Sequence, residues 1–253
     1  MWAQWAHVLA SGLVVTLELT GVISVCTIVF SLLLASAAVS EIKPLARCCR
    51  LYSDVVRSIP LLPALIFVYY GLGRDFVQIG VNTFWLACLV FVLSESGYQA
   101  EIYRGIFRSM GAGQWEAGRS LGLRWRQIVT RVLLPSCLPA IIPVSVNAVV
   151  LILKDTSLAS MITIQEVTLS ANGLVSTSFQ PLQVYILLAG FYLVVVLPIM
   201  GLSQLLERRL TRGARRPGIM LGTGFPGARR PVPLDLTDGK AAASAGRDVA
   251  GSP

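Results

Sequence analysis

The residue types able to do chemistry are few and far apart in this chain. There is one histidine, His7, and five cysteines: Cys26, Cys48, Cys49, Cys88 and Cys137. Cys48 and Cys49 have no partner pair at metal-ligand spacing, so small apolar or reduced thiols are expected and no metal site. No G-x-x-x-x-G-K-[ST] phosphate loop is present, so ATP is not expected to bind by that route. Polar groups set in apolar surroundings are Glu95, Gln99, Glu101, Asn147, Lys154 and Asp155, followed by Thr156 and Ser157. An intramembrane enzyme would have to work with Glu95, Glu101 or Asp155. It would lack a metal-ligand set, an activated nucleophile and any histidine within the apolar segments. No catalytic residue is therefore assigned. Polar groups in lipid instead face a cavity or a partner helix, which makes Gln99, Asn147, Asp155, Thr156 and Ser157 candidates for a solute pathway. The plainer reading of Lys154 and Asp155 is an interfacial ion pair that ends a helix, with Thr156 and Ser157 capping the next segment. Glu101 and Arg104 read more simply as an i, i+3 pair at a membrane edge.

A second constellation lies in the polar stretch 104–135, which carries Arg104, Arg108, Arg119, Arg124, Arg126 and Arg131 against one acid, Glu116. Within it Glu116-Ala117-Gly118 is followed by three residues, Gly122, nine residues, and Val132-Leu133-Leu134-Pro135. A short helix is expected over 114–121, with Glu116 in its first turn, where a carboxylate suits the positive helix end. Gly122 is placed as a left-handed cap that turns the chain sharply. Ala117 and Gly118 would leave a smooth face for the groove of another protein. A second helix is expected to begin over 124–131. Charge by charge, this is also what any basic loop on the inner side of a membrane looks like; only the Glu-Ala-Gly, Gly and Pro spacing goes beyond that.

The elements that position these residues are set by apolarity. The chain has 253 residues, 55% hydrophobic and 13% charged, against about a quarter charged in globular domains. A crossing helix needs about 20 mostly apolar residues, and five spans are expected: residues 11–40, 55–72, 82–103, 132–153 and 182–206. Residues 161–175 are too broken for a sixth and are expected as a short amphipathic helix at the far membrane face. Lys43, Arg47, Arg50 and Arg57 come after the first span, six arginines fill 104–135, and Arg208, Arg209, Arg212, Arg215 and Arg216 come after the fifth. The opposite loops hold only Arg74, beside Asp75, and Lys154. By the positive-inside rule the N-terminus lies outside and the C-terminus inside. The net charge of +8 therefore belongs to a membrane face and not to nucleic acid. Residues 1–40 contain no Lys or Arg, so no secretory signal is expected. The expected organisation is an external segment 1–10, an all-α transmembrane domain 11–210, and a tail 211–253 too poor in large apolar residues to order itself. Pro135, Pro139 and Pro143 recur every four residues and can kink the fourth span, either beside a translocation path or merely to shape packing.

The spacing at Glu116, Ala117, Gly118, Gly122, Val132, Leu134 and Pro135 resembles the EAA motif of the permease subunits of bacterial ABC importers. Gly118 stands for the third alanine and Val132 for isoleucine. Four other stretches resemble the polar amino acid branch: Arg57-Ser58-Ile59-Pro60-Leu61-Leu62, Tyr69-Tyr70-Gly71-Leu72, Gly97 to Gly105 (GYQAEIYRG) and Lys154-Asp155-Thr156-Ser157-Leu158. The resemblance covers residues 11–210. It implies a type I importer permease fold, a coupling helix at 116–122 that docks on an ATPase, and ATP with magnesium in that partner, not in this chain. It also implies a second permease copy or a homologous permease, an external solute-binding protein and residence in the inner membrane. The implied cargo is a polar amino acid or derivative; another small polar solute, such as an opine or a compatible solute, is the alternative. Ala148 stands where several relatives that carry cationic or amide amino acids have glutamate, which weakens an arginine or histidine assignment.

Overall fold

The computed structural model describes residues 2–72, 82–109 and 112–213. Arg74, Asp75 and the tail from residue 214 onward, with the disorder expected of it, lie outside these residues. Among the described residues every regular element is helical.

Helix α1, Trp2–Ala38, is uninterrupted over 37 residues. It begins nine positions before the expected span, so residues 2–10 extend the first helix. No proline breaks it, and at 1.5 Å per residue it is about 55 Å long, well beyond the ~30 Å hydrocarbon layer. Its buried face carries Gly12, Thr16, Thr20, Ser24, Thr27, Ser31, Ala35 and Ala38 at spacings of three and four. Small side chains at that period let neighbouring backbones come close, the usual means of helix association where lipid removes the hydrophobic drive. Thr20 Oγ1 donates to Thr16 O at 2.7 Å and Ser31 Oγ to Ser96 O on the facing helix at 3.2 Å, whereas Ser24 Oγ and Thr27 Oγ1 have no hydrogen-bond partner among the described residues. Val25, Val29 and Leu33 point outward toward lipid.

The second span differs from the expectation of one helix over 55–72. Helix α2, Lys43–Ser58, is followed by α3, Leu61–Ile66, which widens into a π-helical segment, Phe67–Leu72. The two halves meet at 94°. Pro60 is the cause: it restricts the residue before it to extended backbone, and Ile59 sits at φ −100°, ψ 119°. At its far end this segment is tied down by Tyr69 Oη, 3.0 Å from Thr163 Oγ1.

Helix α4, Thr83–Ser109, packs against α1, α2 and the helix of the fourth span. Among the described residues three helical stretches are long and apolar enough to cross a membrane: Trp2–Ala38, Trp125–Ile162 and Pro181–Leu210; the bent pair is a fourth if its two halves count as one span. Helix α4 misses that apolar group because its second half carries Glu95, Glu101, Arg104 and Arg108. Its 27 residues, about 40 Å, still suffice for a crossing; Glu101 and Arg104 pair with each other along the helix. Helix α5, Ala112–Ser120, and the short α6, Trp125–Ile128, lead through a π-helical turn, Val129–Leu133, into α7, Leu134–Asp155. A 3₁₀ segment, Thr156–Ile162, α8, Val167–Ser178, and α9, Pro181–Gly213, complete the domain.

The helix expected over 161–175 is displaced. Thr163 adopts a left-handed φ of 66° and ends the 3₁₀ segment, and α8 starts four residues later. Its start is capped by Glu166, whose two carboxylate oxygens accept from Thr168 N and Leu169 N, both at 2.8 Å. Glu166 is fully buried. Burial pushes its carboxyl above its ordinary value of 4.5, and the amide hydrogen bonds only partly offset that.

Candidate functional site

The turn at Gly122 is built as a Schellman cap. Gly122 N donates to Arg119 O at 2.8 Å and Leu123 N to Gly118 O at 3.1 Å, the 5→2 and 6→1 bonds of that motif. Gly122 has φ +70°, and nothing lies within 4 Å of where a Cβ would stand. Only backbone conformation therefore demands glycine there. Arg124 N then donates to Gln127 Oε1 at 2.9 Å, starting α6 within two residues of the turn.

The face that this helix offers differs from the sequence expectation at two positions. Helix α5 starts at Ala112, so Glu116 lies beyond its first turn and the helix-end argument for it falls away. Glu116 is exposed, as are Ala117 and Leu121. Gly118 is buried instead of offered to a partner: a Cβ there would stand 2.9 Å from Ile128 Cγ1. Its small size seats α5 on α6. Ile128, Val129, Leu133, Tyr103 and Phe107 form a buried cluster against which Trp115, Leu123 and Trp125 pack. Thus the Gly122 turn is fastened to the adjoining ends of α4 and α7. Sequence reasoning missed a further tie, the Arg119–Glu41 ion pair at 2.7 Å, which links α5 to the turn between α1 and α2. Both side chains are exposed, so it is worth only about 0–1 kcal/mol. Pro135, exposed, opens α7 immediately after the π-helical turn. The three prolines do not break this stretch, which runs as one helical span from Trp125 to Ile162.

A half-open, mainly apolar cavity of about 390 Å³ lies between the α2–α3 bend, α4, α7 and the 3₁₀ segment. Gln99 and Asp155 are among its lining residues. Asn147, Thr156 and Ser157 are not. Asn147 Oδ1 accepts from Ser203 Oγ of α9 at 2.9 Å. Thr156 is fully buried and donates to Leu153 O at 2.7 Å, closing the end of α7. Ser157 is half-buried, and its carbonyl accepts from Ser160 Oγ at 2.7 Å. In place of these three the wall has Ser94, Glu95, Tyr98 and Ala148. The signal for the α4 residues was present: Glu95, Tyr98, Gln99 and Ile102 share one helical face by their i, i+3, i+4 and i+7 spacing. Gln99 is buried, and its Nε2 has no hydrogen-bond partner. Lys154 and Asp155 form no ion pair among the described residues, whereas Glu101 and Arg104 do. No group of three metal-ligating side chains occurs among the described residues.

Crossing helices joined through a fastened turn, with a half-open cavity between them, fit a membrane transport subunit. The comparisons with known proteins name its family. Residues 10–212 match the family described as binding-protein-dependent transport system inner membrane component. The chain is 31% identical over 206 residues to the L-cystine transport system permease protein TcyB of Bacillus subtilis (strain 168), covering 81% of this chain and 87% of that protein. It is 30% identical over 159 residues to the glutamine transport system permease protein GlnP of Escherichia coli (strain K12), covering 63% of this chain and 73% of that one. Among solved structures, an amino acid ABC transporter crystallised with histidines matches with a TM-score of 0.72 and 30% identity, over 82% of this chain and 96% of that one. The chain belongs to this family of inner-membrane permease subunits of ABC importers. It is a transport subunit that works with separate ATPase subunits and a second permease.

Proposed function

We propose that this permease carries a polar amino acid or a close derivative, handed over by an external solute-binding protein, through the cavity lined by Gln99 and Asp155. The carrying observation is that cavity. Its volume of about 390 Å³ lies in the usual range for small-molecule sites, roughly 300–1,000 Å³. It sets the Glu95 and Asp155 carboxyl groups and the Gln99 side chain among apolar side chains, which suits a small solute that bears an ammonium group. Relatives named for cystine, glutamine and octopine transport support the same class. ATP and magnesium belong to the ATPase. Its closure acts on the exposed Glu116, Ala117 and Gly122, and the buried cluster behind Gly118 passes the displacement to α4 and α7 on the way to Pro135.

The test is reconstitution of the permease with its ATPase and binding protein in liposomes. ATP-driven uptake of a labelled amino acid is expected, and Ala117→Arg should abolish both uptake and ATPase co-purification. Full uptake by Ala117→Arg would remove the coupling assignment. Absence of uptake of any amino acid by the intact complex would remove the cargo assignment.

A further inference from the structure

A second cavity, of about 310 Å³, opens where the turn after α1, the start of α2, the end of α4 and α5 meet. Its wall includes Ser40, Lys43, Arg50, Phe107, Arg108 and Trp115, and no acid. It shares no lining residue with the cavity between α4 and α7. Lys43 starts α2, Arg50 lies two turns further along it, and Arg108 is next to last in α4. The neighbouring acids are taken or turned elsewhere. Glu41 pairs with Arg119 at 2.7 Å, Asp54 with Arg57 at 2.6 Å and Glu101 with Arg104, while Glu116 is exposed and outside the lining. Lys43, Arg50 and Arg108 form no ion pair among the described residues. Arg50 Nε donates to Ala46 O at 3.0 Å, which lays the guanidinium along α2 and leaves its two terminal nitrogens for a ligand. Three like charges around one recess repel each other, and an anion seated between them is attracted by all three.

We propose that this recess binds the phosphodiester headgroup of an anionic phospholipid of the cytoplasmic leaflet. Arg50 and Arg108 offer planar forks that match phosphate oxygens, and Lys43 adds a point charge. Charge alone would suit any phosphate; the surroundings single out a lipid. The positive-inside rule puts these residues at the cytoplasmic face of the membrane, where the leaflet itself is anionic and basic recesses between helices hold headgroups. Ile42, Leu45 and Leu51 stand beside the cations in the chain and are exposed apolar side chains, a surface suited to acyl chains. Trp115 adds to the wall an indole, a side chain favoured at headgroup depth. A soluble phosphate would leave that apolar flank uncovered. A headgroup seated here touches the α1–α2 turn, the end of α4 and α5 at once, beside the Arg119–Glu41 link.

The probe is fluorescent phosphatidylglycerol, compared with phosphatidylcholine carrying the same label. Each is titrated onto the delipidated permease–ATPase complex in neutral detergent at physiological salt. Tighter binding of phosphatidylglycerol is expected. Arg50→Gln and Arg108→Gln should each weaken it about fivefold, and the pair by about twenty- to thirtyfold, with phosphatidylcholine binding unchanged. Arg47→Gln removes an exposed charge of α2 that lies outside the lining and should change little. All three arginines are exposed, and an unchanged melting temperature checks the fold of each variant. No preference for phosphatidylglycerol, or a loss from Arg47→Gln equal to the others, would leave only diffuse surface attraction and overturn the site. Glycerol phosphate in solution that displaces the lipid mole for mole would make the ligand a soluble anion. Loss of ATPase co-elution in the Arg50 and Arg108 variants, with lipid binding unchanged, would give the recess to the ATPase. Either result also overturns the proposal.

Discussion

Gly122 and Gly118 lie four residues apart in the same motif and are glycine for different reasons. At Gly122 the backbone is left-handed and the space around it is open, so a side chain there costs only the conformational penalty, about 1–2 kcal/mol. Gly122→Val should therefore lower uptake, while Gly122→Asn, which tolerates that conformation, should stay near the original rate in the reconstituted assay. At Gly118 the backbone is helical and the space is filled by Ile128. Gly118→Leu should push α5 off α6, costing roughly 1–3 kcal/mol as overpacking. Less ATPase should then co-purify. Adding Ile128→Ala should recover part of that loss, whereas it should do nothing for Gly122→Val.

At the scale of elements, the irregular turns mark where helices were given room to change. Leu134 N donates to Val129 O, an i→i−5 bond, one turn before Pro135, which has no N–H to offer Arg131 O. Pro135→Ala supplies that donor and makes regular α-helix available through the turn. The expected result is an intact permease–ATPase complex that hydrolyses ATP but imports less solute per ATP, read from paired uptake and phosphate release. The α8 cap gives a pH signature. Burial raises the Glu166 carboxyl in the folded state, so the folded protein holds its proton more tightly than the unfolded chain. That contribution is complete below the ordinary value of 4.5 and is lost as pH rises through the raised folded value. Thermal stability in detergent should decline over that rise. In Glu166→Gln this part of the pH dependence should flatten.

For the whole molecule, sidedness and assembly are the testable properties. Cys48 is exposed on α2 beside Arg47, on the side that the positive-inside rule places in the cytoplasm. A membrane-impermeant maleimide should label it in inside-out vesicles and leave it unlabelled in intact cells. The family match ends at residue 212, and the Gly122 turn and the cavity both lie before it. Removal of residues 214–253 should therefore leave ATPase co-purification and uptake in place, measured on the same reconstituted complex.

Apolar run length, the placement of Lys and Arg and the turn chemistry of Gly122 were legible in the chain because each depends on near neighbours or on the membrane itself. They determined a helical, multi-span membrane protein with a basic loop that turns at Gly122. The facing of individual side chains was decided only by packing. Asn147 and Ala148 are adjacent, yet about 100° of helix rotation sends one to Ser203 of α9 and the other to the cavity. Gly118 reads as a smooth outer face until Ile128 is seen to cover it. Thr156 reads as a pathway residue until its hydroxyl is found closing α7. Glu95 and Asp155, sixty positions apart, share one cavity only because the chain bends at Pro60 and lets α4 and α7 enclose the space beside it. Such facings depend on which helices become neighbours, and that is settled by side chains far apart in the chain.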